Sequence, residues 1–203
     1  SNYSLTRNGH PVASFYGWKV DGIFQSQAEI DALDAKVVGD ANGGHYQSAS
    51  TRPGDYRYKD LDNNGYIDDN DRTVLGNGYP KLNYGISLGG NYKNWDFNLY
   101  MYGVLGQDVL SYAYKNLTNM YIADGGYRNV LADCIKNAWT EDNHSNKYPR
   151  LTKTDANHNG QVSDAFLMNA DFLKIQNIQI GYTFPREWLK AVRLESARVF
   201  VGV

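Results

Sequence analysis

One cysteine, five prolines and no apolar run near the roughly 18–20 residues of a membrane-crossing helix set the first limits on this chain. The lone Cys134 rules out an internal disulfide framework and leaves the redox compartment open. Net charge is only −2, so composition does not suggest wholesale binding to nucleic acid or to anionic lipid. The histidines His10, His45, His144 and His158 lack zinc-ligand spacing, and no glycine-rich stretch has phosphate-binding spacing. No signal-peptide pattern is read in these residues, and Ser1-Asn2-Tyr3 is expected to be an internal segment or a mature fragment. A mean hydropathy of −0.57 argues against a helical membrane protein, but not against a β-barrel, whose strands are only half apolar. What the chain has in quantity is tyrosine (17) and glycine (20), with aromatics at 14%. That balance predicts a β-rich chain whose tyrosines pack at interfaces or are displayed for binding.

The densest chemistry lies in residues 60–72. Oxygen-bearing side chains fall at loop positions 1, 3, 5, 9 and 12, as Asp60, Asp62, Asn64, Asp68 and Asp71. Gly65 occupies position 6, where such a loop turns sharply, and Ile67 at position 8 can anchor it. This is the spacing of an EF-hand-type calcium loop, and it predicts about six or seven oxygen ligands from those five side chains and the Tyr66 carbonyl. Position 12 departs from the pattern: Asp71 has a shorter arm than the usual glutamate. Arg57-Tyr58-Lys59 reads as extended, so no helix leads in. The alternative is an acidic turn with no ion. A second segment, Asp155-Ala156-Asn157-His158-Asn159-Gly160, repeats the first six positions, but its position 12 is Phe166, so it reads as a plain loop.

Along the chain, residues 1–25 predict short extended pieces broken by glycine. Ser26 and Glu29 form a capping box ahead of a short helix over about 27–35, with Ile30 and Leu33 on one face. Residues 39–55 are loop. From Tyr84 onward the pattern becomes strictly alternating, and strands are expected at 84–92, 95–104, 172–184 and 197–203. Trp95, Phe97, Leu99 and Met101 share one face, so the strand separates two media: a core in a sandwich, or lipid in a barrel. In the third strand the apolar parity slips near Gln176, which predicts a β-bulge or a strand leaving its apolar surroundings. The last strand stops in mid-pattern, so a piece of a longer chain is expected. Residues 105–171 form a polar, aromatic insertion. Within it, Val130, Leu131, Cys134, Ile135 and Ala138 predict a helix over about 128–139 packed on the insertion's own core. Cys134 reads as a buried small hydrophobe. Long loops on one side and short turns on the other follow the habit of outer-membrane barrels.

Several stretches together resemble the SusC/RagA-like TonB-dependent outer-membrane receptors. They are Gly9-His10-Pro11-Val12-Ala13-Ser14-Phe15-Tyr16-Gly17, Asp21-Gly22-Ile23-Phe24-Gln25, the 60–72 loop, Val74-Leu75-Gly76-Asn77 and Tyr84-Gly85. Lys147-Tyr148-Pro149-Arg150-Leu151 and residues 172–182 complete the series. The resemblance implies an all-β fold: a fragment of a large transmembrane antiparallel β-barrel of about 22 strands, with long extracellular loops carrying short helices. Residues 1–83 would be an extracellular region containing the calcium-like loop at 60–71. Residues 84–203 would be barrel strands with an extracellular insertion at 105–171. It further implies import of oligosaccharides or peptides across the cell outer membrane. The implied partners are a SusD-like surface lipoprotein and TonB, engaged through an N-terminal plug region outside this sequence.

Aromatic rings can stack on sugar faces, and in the outward segments Tyr16, Trp18, Tyr112, Tyr114 and Tyr121 are the candidates. For any single one of them, local loop packing or an interfacial aromatic girdle is the favoured explanation. No enzyme is expected, because the acidic residues of 60–71 lie too evenly along one loop for a general acid/base pair. The competing reading is a soluble secreted β-sandwich stabilised by calcium, of the carbohydrate-binding type.

Overall fold

Breaks in alternation keep the strands of residues 4–76 short, and sustained alternation makes those at 82–92, 95–105 and 172–183 long. The computed structural model describes residues 3–121 and 128–203, so Ser1, Asn2 and the part of the insertion at 122–127 lie outside the described residues. The chain divides into two units, the first from residues 1–78 and 109–168, the second from residues 79–108 and 169–203.

In the first unit, β1 (Ser4–Leu5), β2 (Ser14–Gly17) and β5 (Thr73–Gly76) form one antiparallel sheet. The strands β3 (Val20–Ile23) and β4 (Tyr56–Tyr58) pair separately. Helix α1 (Gln27–Asp34) forms where the capping signal predicts it. Ser26 Oγ accepts from the Glu29 N–H at 3.3 Å, and the Glu29 carboxylate accepts from the Gln25 N–H at 3.0 Å. Ile30 is the residue this helix buries, in a core with Ile23, Phe24, Tyr46, Tyr56, Tyr58, Ile67 and Trp139.

The insertion contributes α2 (Tyr112–Thr118) and α3 (Ala132–Asn137), and Cys134, Ala138 and Tyr148 form a small core of its own. The helix expected over 128–139 is therefore shorter at both ends. Leu131, at its N-cap, has no side-chain oxygen to offer the first turn. At the other end Ala138 turns extended, and the Trp139 N–H donates to the Tyr148 carbonyl at 3.0 Å while the indole enters the main core. Burying that large ring outweighs another half-turn of helix.

The two segments that sequence treats separately thus meet in the main core, to which the insertion contributes Trp139. Their firmest tie is the fully buried Asp55. Its carboxylate accepts from Arg150 Nε at 2.7 Å and Nη2 at 3.0 Å, from Asn159 Nδ2 at 2.9 Å and from the Arg52 N–H at 2.9 Å. Every lone pair direction is used, which is what makes a buried charge tolerable. Gly54 (φ 89°) lets the chain pass here, since a Cβ would run into the Trp139 ring and Arg150.

The strands β8 (Asp108–Leu110) and β9 (Leu167–Asn169) pair as a two-stranded ribbon, and the second unit holds a separate four-stranded sheet. That sheet holds β6 (Leu82–Tyr92), β7 (Trp95–Leu105), β10 (Phe172–Thr183) and β11 (Arg198–Gly202), in the order β11-β10-β7-β6, all antiparallel. Register places Ile86 opposite Met101, Leu88 and Ile178 opposite Leu99, and Ile180 between Phe97 and Val201. These side chains share one face. The parity slip is a bulge between Ile175 and Asn177, and it keeps Leu173 and Ile175 on the same apolar face as Ile178. The strand does not leave its apolar surroundings.

That face is bare: Leu88 is 51%, Ile180 46% and Val201 75% exposed. At the Lys93-Asn94 turn the aromatic rings gather, Trp95 with Tyr182 (4.9 Å between centroids), Tyr182 with Phe184 (5.3 Å), and Phe184 with Trp188 on α4 (Arg186–Leu189, 6.4 Å). On the opposite, polar face, Arg198 reaches over Gly181 to pair with Asp96, its Nε 2.9 Å from the carboxylate. The space a Cβ would take at Gly181 is filled by these two side chains.

Candidate functional site

The loop at 60–71 folds around its first carboxylate. One Asp60 oxygen accepts from the Asn63 N–H at 2.6 Å and the other from the Gly65 N–H at 2.8 Å. Closing so tight a turn requires left-handed backbone at Asn63 (φ 59°) and Gly65 (φ 92°), conformations that asparagine and glycine tolerate best. Asp62 accepts from the Asn64 N–H at 3.1 Å, and the Asn64 side-chain oxygen accepts from the Tyr66 N–H at 3.0 Å. Asp71 is fully buried and accepts from the N–H groups of Leu61 (2.6 Å) and Asp68 (2.8 Å). Burial pushes its carboxyl up, partly offset by those two donors.

The result is a convergence of carboxylates: oxygens of Asp60, Asp62 and Asp71 all lie within 4.8 Å of one another. Like charges this close repel unless a cation or a proton intervenes. Hard oxygen donors are what calcium takes. Asp68 stands outside this trio. Its carboxylate accepts from the Asn70 N–H (2.6 Å) and side-chain amide (3.0 Å), capping the short 3-10 turn Asp69–Asp71. Asp71 in turn accepts from the Asp68 N–H, so the two aspartates close a capping box around that turn.

The segment at 155–160 has the same local shape. Asp155 accepts from the Gly160 N–H at 2.9 Å, and His158 (φ 57°) is left-handed where Asn63 is. Its asparagines, however, point into the protein. Asn157 Oδ1 accepts from Thr51 Oγ1 (2.7 Å) and Gln47 Nε2 (3.0 Å), and Asn159 Oδ1 accepts from the Tyr56 N–H (2.9 Å). Sequence reasoning missed these ties; the asparagine spacing was their signal. Here protein donors fill the places that an ion would fill.

The five aromatic candidates do not form one surface. Tyr16 and Trp18 lie together beside the acidic loop, with the Arg72 guanidinium 4.6 Å and 4.7 Å from their ring centroids. The Trp18 indole N–H donates to the Asp68 carbonyl at 3.1 Å. Tyr112 packs edge-on against Tyr3. The Tyr114 hydroxyl is 3.5 Å from that of Tyr148, and its ring packs on the small core around Cys134. Tyr121 is held by backbone contacts to Asn119 and Arg128. Burial pushes the Cys134 thiol up, which keeps it protonated and inert.

No family model matches the chain. Its sequence is similar to the TonB-dependent receptor P3 of Formosa agariphila, 27% identical over 198 residues, covering 98% of this chain and 18% of that receptor. It is also 24% identical over 202 residues to the TonB-dependent receptor SusC of Bacteroides thetaiotaomicron, covering 92% of this chain and 18% of SusC. Among solved structures, the RagAB peptide transporter matches with a TM-score of 0.64 at 18% identity, over 98% of this chain and 20% of that one. The RagAB peptide importer in its closed-closed state matches with a TM-score of 0.63 at 19% identity, over 99% of this chain and 20% of that one. The chain spans 18% of the length of the P3 receptor and of SusC. It resembles one section of these receptors from end to end, and its fold is that of a barrel section with long, partly helical loops.

Proposed function

We propose that this chain is a section of a SusC-like TonB-dependent importer of oligosaccharides or peptides in the cell outer membrane, with no chemistry of its own. The four-stranded sheet is part of the barrel wall, and the first unit is the extracellular loop region. The observation that carries this reading is the apolar face of the sheet. It runs unbroken across four strands, is kept continuous through a bulge, and is exposed at Leu88, Ile180 and Val201. The strands β6 and β7 are 11 residues each, the length that crosses a bilayer at a tilt. Among the described residues no helix is long and apolar enough to cross a membrane. A soluble sandwich needs that face covered by a second sheet, so the β-sandwich alternative is disfavoured.

On this reading a SusD-like lipoprotein caps the extracellular loops, and TonB supplies energy through the receptor's plug region. The loop at 60–71 is a structural calcium clasp, held by Asp60, Asp62, Asn64, Asp71 and the Tyr66 carbonyl, with Asp68 as an outer support. Binding an ion to the folded loop alone stabilises it by mass action.

The decisive test is a lipid-face charge. Leu88→Arg or Ile180→Arg, at the middle of the strands, is expected to cost about 2–4 kcal/mol of barrel stability in bilayers. Ser87→Arg, on the other face, is expected to be mild. Equal tolerance of all three, together with detergent-free solubility, refutes the barrel.

A further inference from the structure

We propose that the connection from β10 to β11, residues 185–196, anchors the sheet to anionic phospholipid by binding headgroup phosphates. This rests on the barrel reading and adds a lipid preference to it. The apolar face of a barrel asks only for hydrocarbon. This connection offers something further, a set of cations beside an exposed indole.

The anchor continues the apolar face of the sheet. Both short connections, 93–94 and 185–196, lie at one end and are tied together. The Thr183 N–H donates to the Asn94 carbonyl at 2.8 Å, and Asn94 Nδ2 donates to the Thr183 carbonyl at 2.7 Å. From there the rings of Trp95, Tyr182 and Phe184 lead off the sheet to Trp188 on α4, which is 64% exposed. Beside this row is an open apolar hollow of about 480 Å³, with Trp95, Ile180, Tyr182, Val199 and Val201 on its walls. It has room for a stretch of acyl chain.

The connection is built to hold its shape. Leu189 is buried, and its carbonyl accepts from the Leu194 N–H at 3.2 Å. Arg193 (φ 57°) supplies the left-handed residue that this kind of helix end requires. The Phe184 N–H donates to the Ala197 carbonyl at 2.9 Å and closes the connection onto the next strand. Val192 and Leu194 are left exposed beside Trp188.

Charge selects what covers them. Arg186, Lys190 and Arg193 are exposed, and among the described residues none of them joins an ion pair. Lys93 stands at the neighbouring turn, and Asp96 is already taken by Arg198 on the opposite face. Setting these four cations against Glu187 and Glu195 leaves this end at +2. Long basic side chains lie along apolar surface and lift their charge to phosphate level. Tryptophan and leucine beside arginine and lysine is the composition of segments that lie in a bilayer interface. A soluble phosphate would satisfy the cations and leave Trp188, Val192 and Leu194 in water. An anionic bilayer satisfies both.

The test is tryptophan quenching on the whole receptor in phosphatidylcholine vesicles. A minor fraction of the lipid is brominated phosphatidylglycerol or, in parallel, brominated phosphatidylcholine. The quenching lost in Trp188→Phe is the part that reports on this site. That part is expected to show about fivefold or greater preference for phosphatidylglycerol, the effect of one net cation at an anionic surface. Arg186→Gln/Lys190→Gln/Arg193→Gln is expected to remove the preference, and high salt to shrink it. Lys174→Gln, on the polar face of β10, is expected to leave it unchanged. All the charges removed are exposed, and quenching of the remaining tryptophans by brominated phosphatidylcholine confirms that each variant has inserted. Equal quenching by the two lipids, or a Trp188 shielded from both by another protein, overturns the anchor. So does a preference that survives the triple substitution, or one that soluble glycerol 3-phosphate at equal concentration removes. A receptor that inserts without preference sinks the anchor alone. One that does not insert at all sinks the barrel, and the anchor with it.

Discussion

Two loops of this protein begin alike and end differently. Residues 60–65 and 155–160 both place oxygen side chains at alternate positions and close with glycine. In both, the first aspartate accepts from the sixth N–H, at 2.8 Å and 2.9 Å. In the first loop the carboxylates of Asp60 and Asp62 meet that of Asp71. In the second, Asn157 and Asn159 are buried and saturated by protein donors and acceptors. The local pattern sets the turn, and what stands behind it decides whether the turn gathers charge or ties two segments together. An aspartate at position 12 completes one; the buried Phe166 at the same place forecloses the other.

The comparison can be broken at the inward loop first. Asp55→Ala leaves the Arg150 guanidinium and the Asn159 amide without their acceptor, and is expected to cost about 3–5 kcal/mol in urea unfolding of the whole protein. Chelation addresses the outward loop. With calcium at about a hundred times its dissociation constant, removing it should cost about 2.7 kcal/mol and lower the melting temperature. Asp60→Asn should abolish the chelator's effect, and Asp155→Asn should not. An unchanged melting curve on chelation would show the outward loop to be an acidic turn. Asn157→Ala, which strands Thr51 and Gln47, is expected to cost about 1–3 kcal/mol with no change in chelator response.

Gly65→Ala is a finer probe. Its φ of 92° penalises a side chain although there is room for one, so a loss of about 1 kcal/mol is expected. The smallest effect is one of pH. The Asp133 carboxyl is held below the usual range by Lys147 and the Tyr148 hydroxyl. A depressed acid stabilises the fold above its unfolded value, and that contribution is lost as pH falls through the folded one. Melting curves should therefore show a modest acid-side loss that Asp133→Asn removes.

Features written over neighbouring residues were legible in the sequence. The α1 cap needs only Ser26 and Glu29, the long strands need only alternation, and the bulge at Gln176 announced itself as a change of parity. What was not legible depends on distant partners. Arg150 and Asp55 are 95 residues apart, and nothing near either names the other, so the union of the two loop segments was hidden. Helix α3 ended early for the same reason, because Trp139 has its place in a core built mostly from residues 23–67. At the loop of residues 60–71 the spacing of the acidic positions was legible, and three of them, Asp60, Asp62 and Asp71, do converge. What the loop pattern hid was that Asp68 caps the 3-10 turn, in a capping box closed by Asp71.

The pair of Asp96 and Arg198 over Gly181 also acts as a rivet against shear. It joins β7 to β11 across a middle strand that contributes no side chain there. If β11 slid by two residues, every apolar side chain would still face the same way, and hydrophobicity alone would not notice. The guanidinium, however, would be carried about 7 Å along the strand, out of reach of its carboxylate. Alternation chooses the face; this clasp counts the residues.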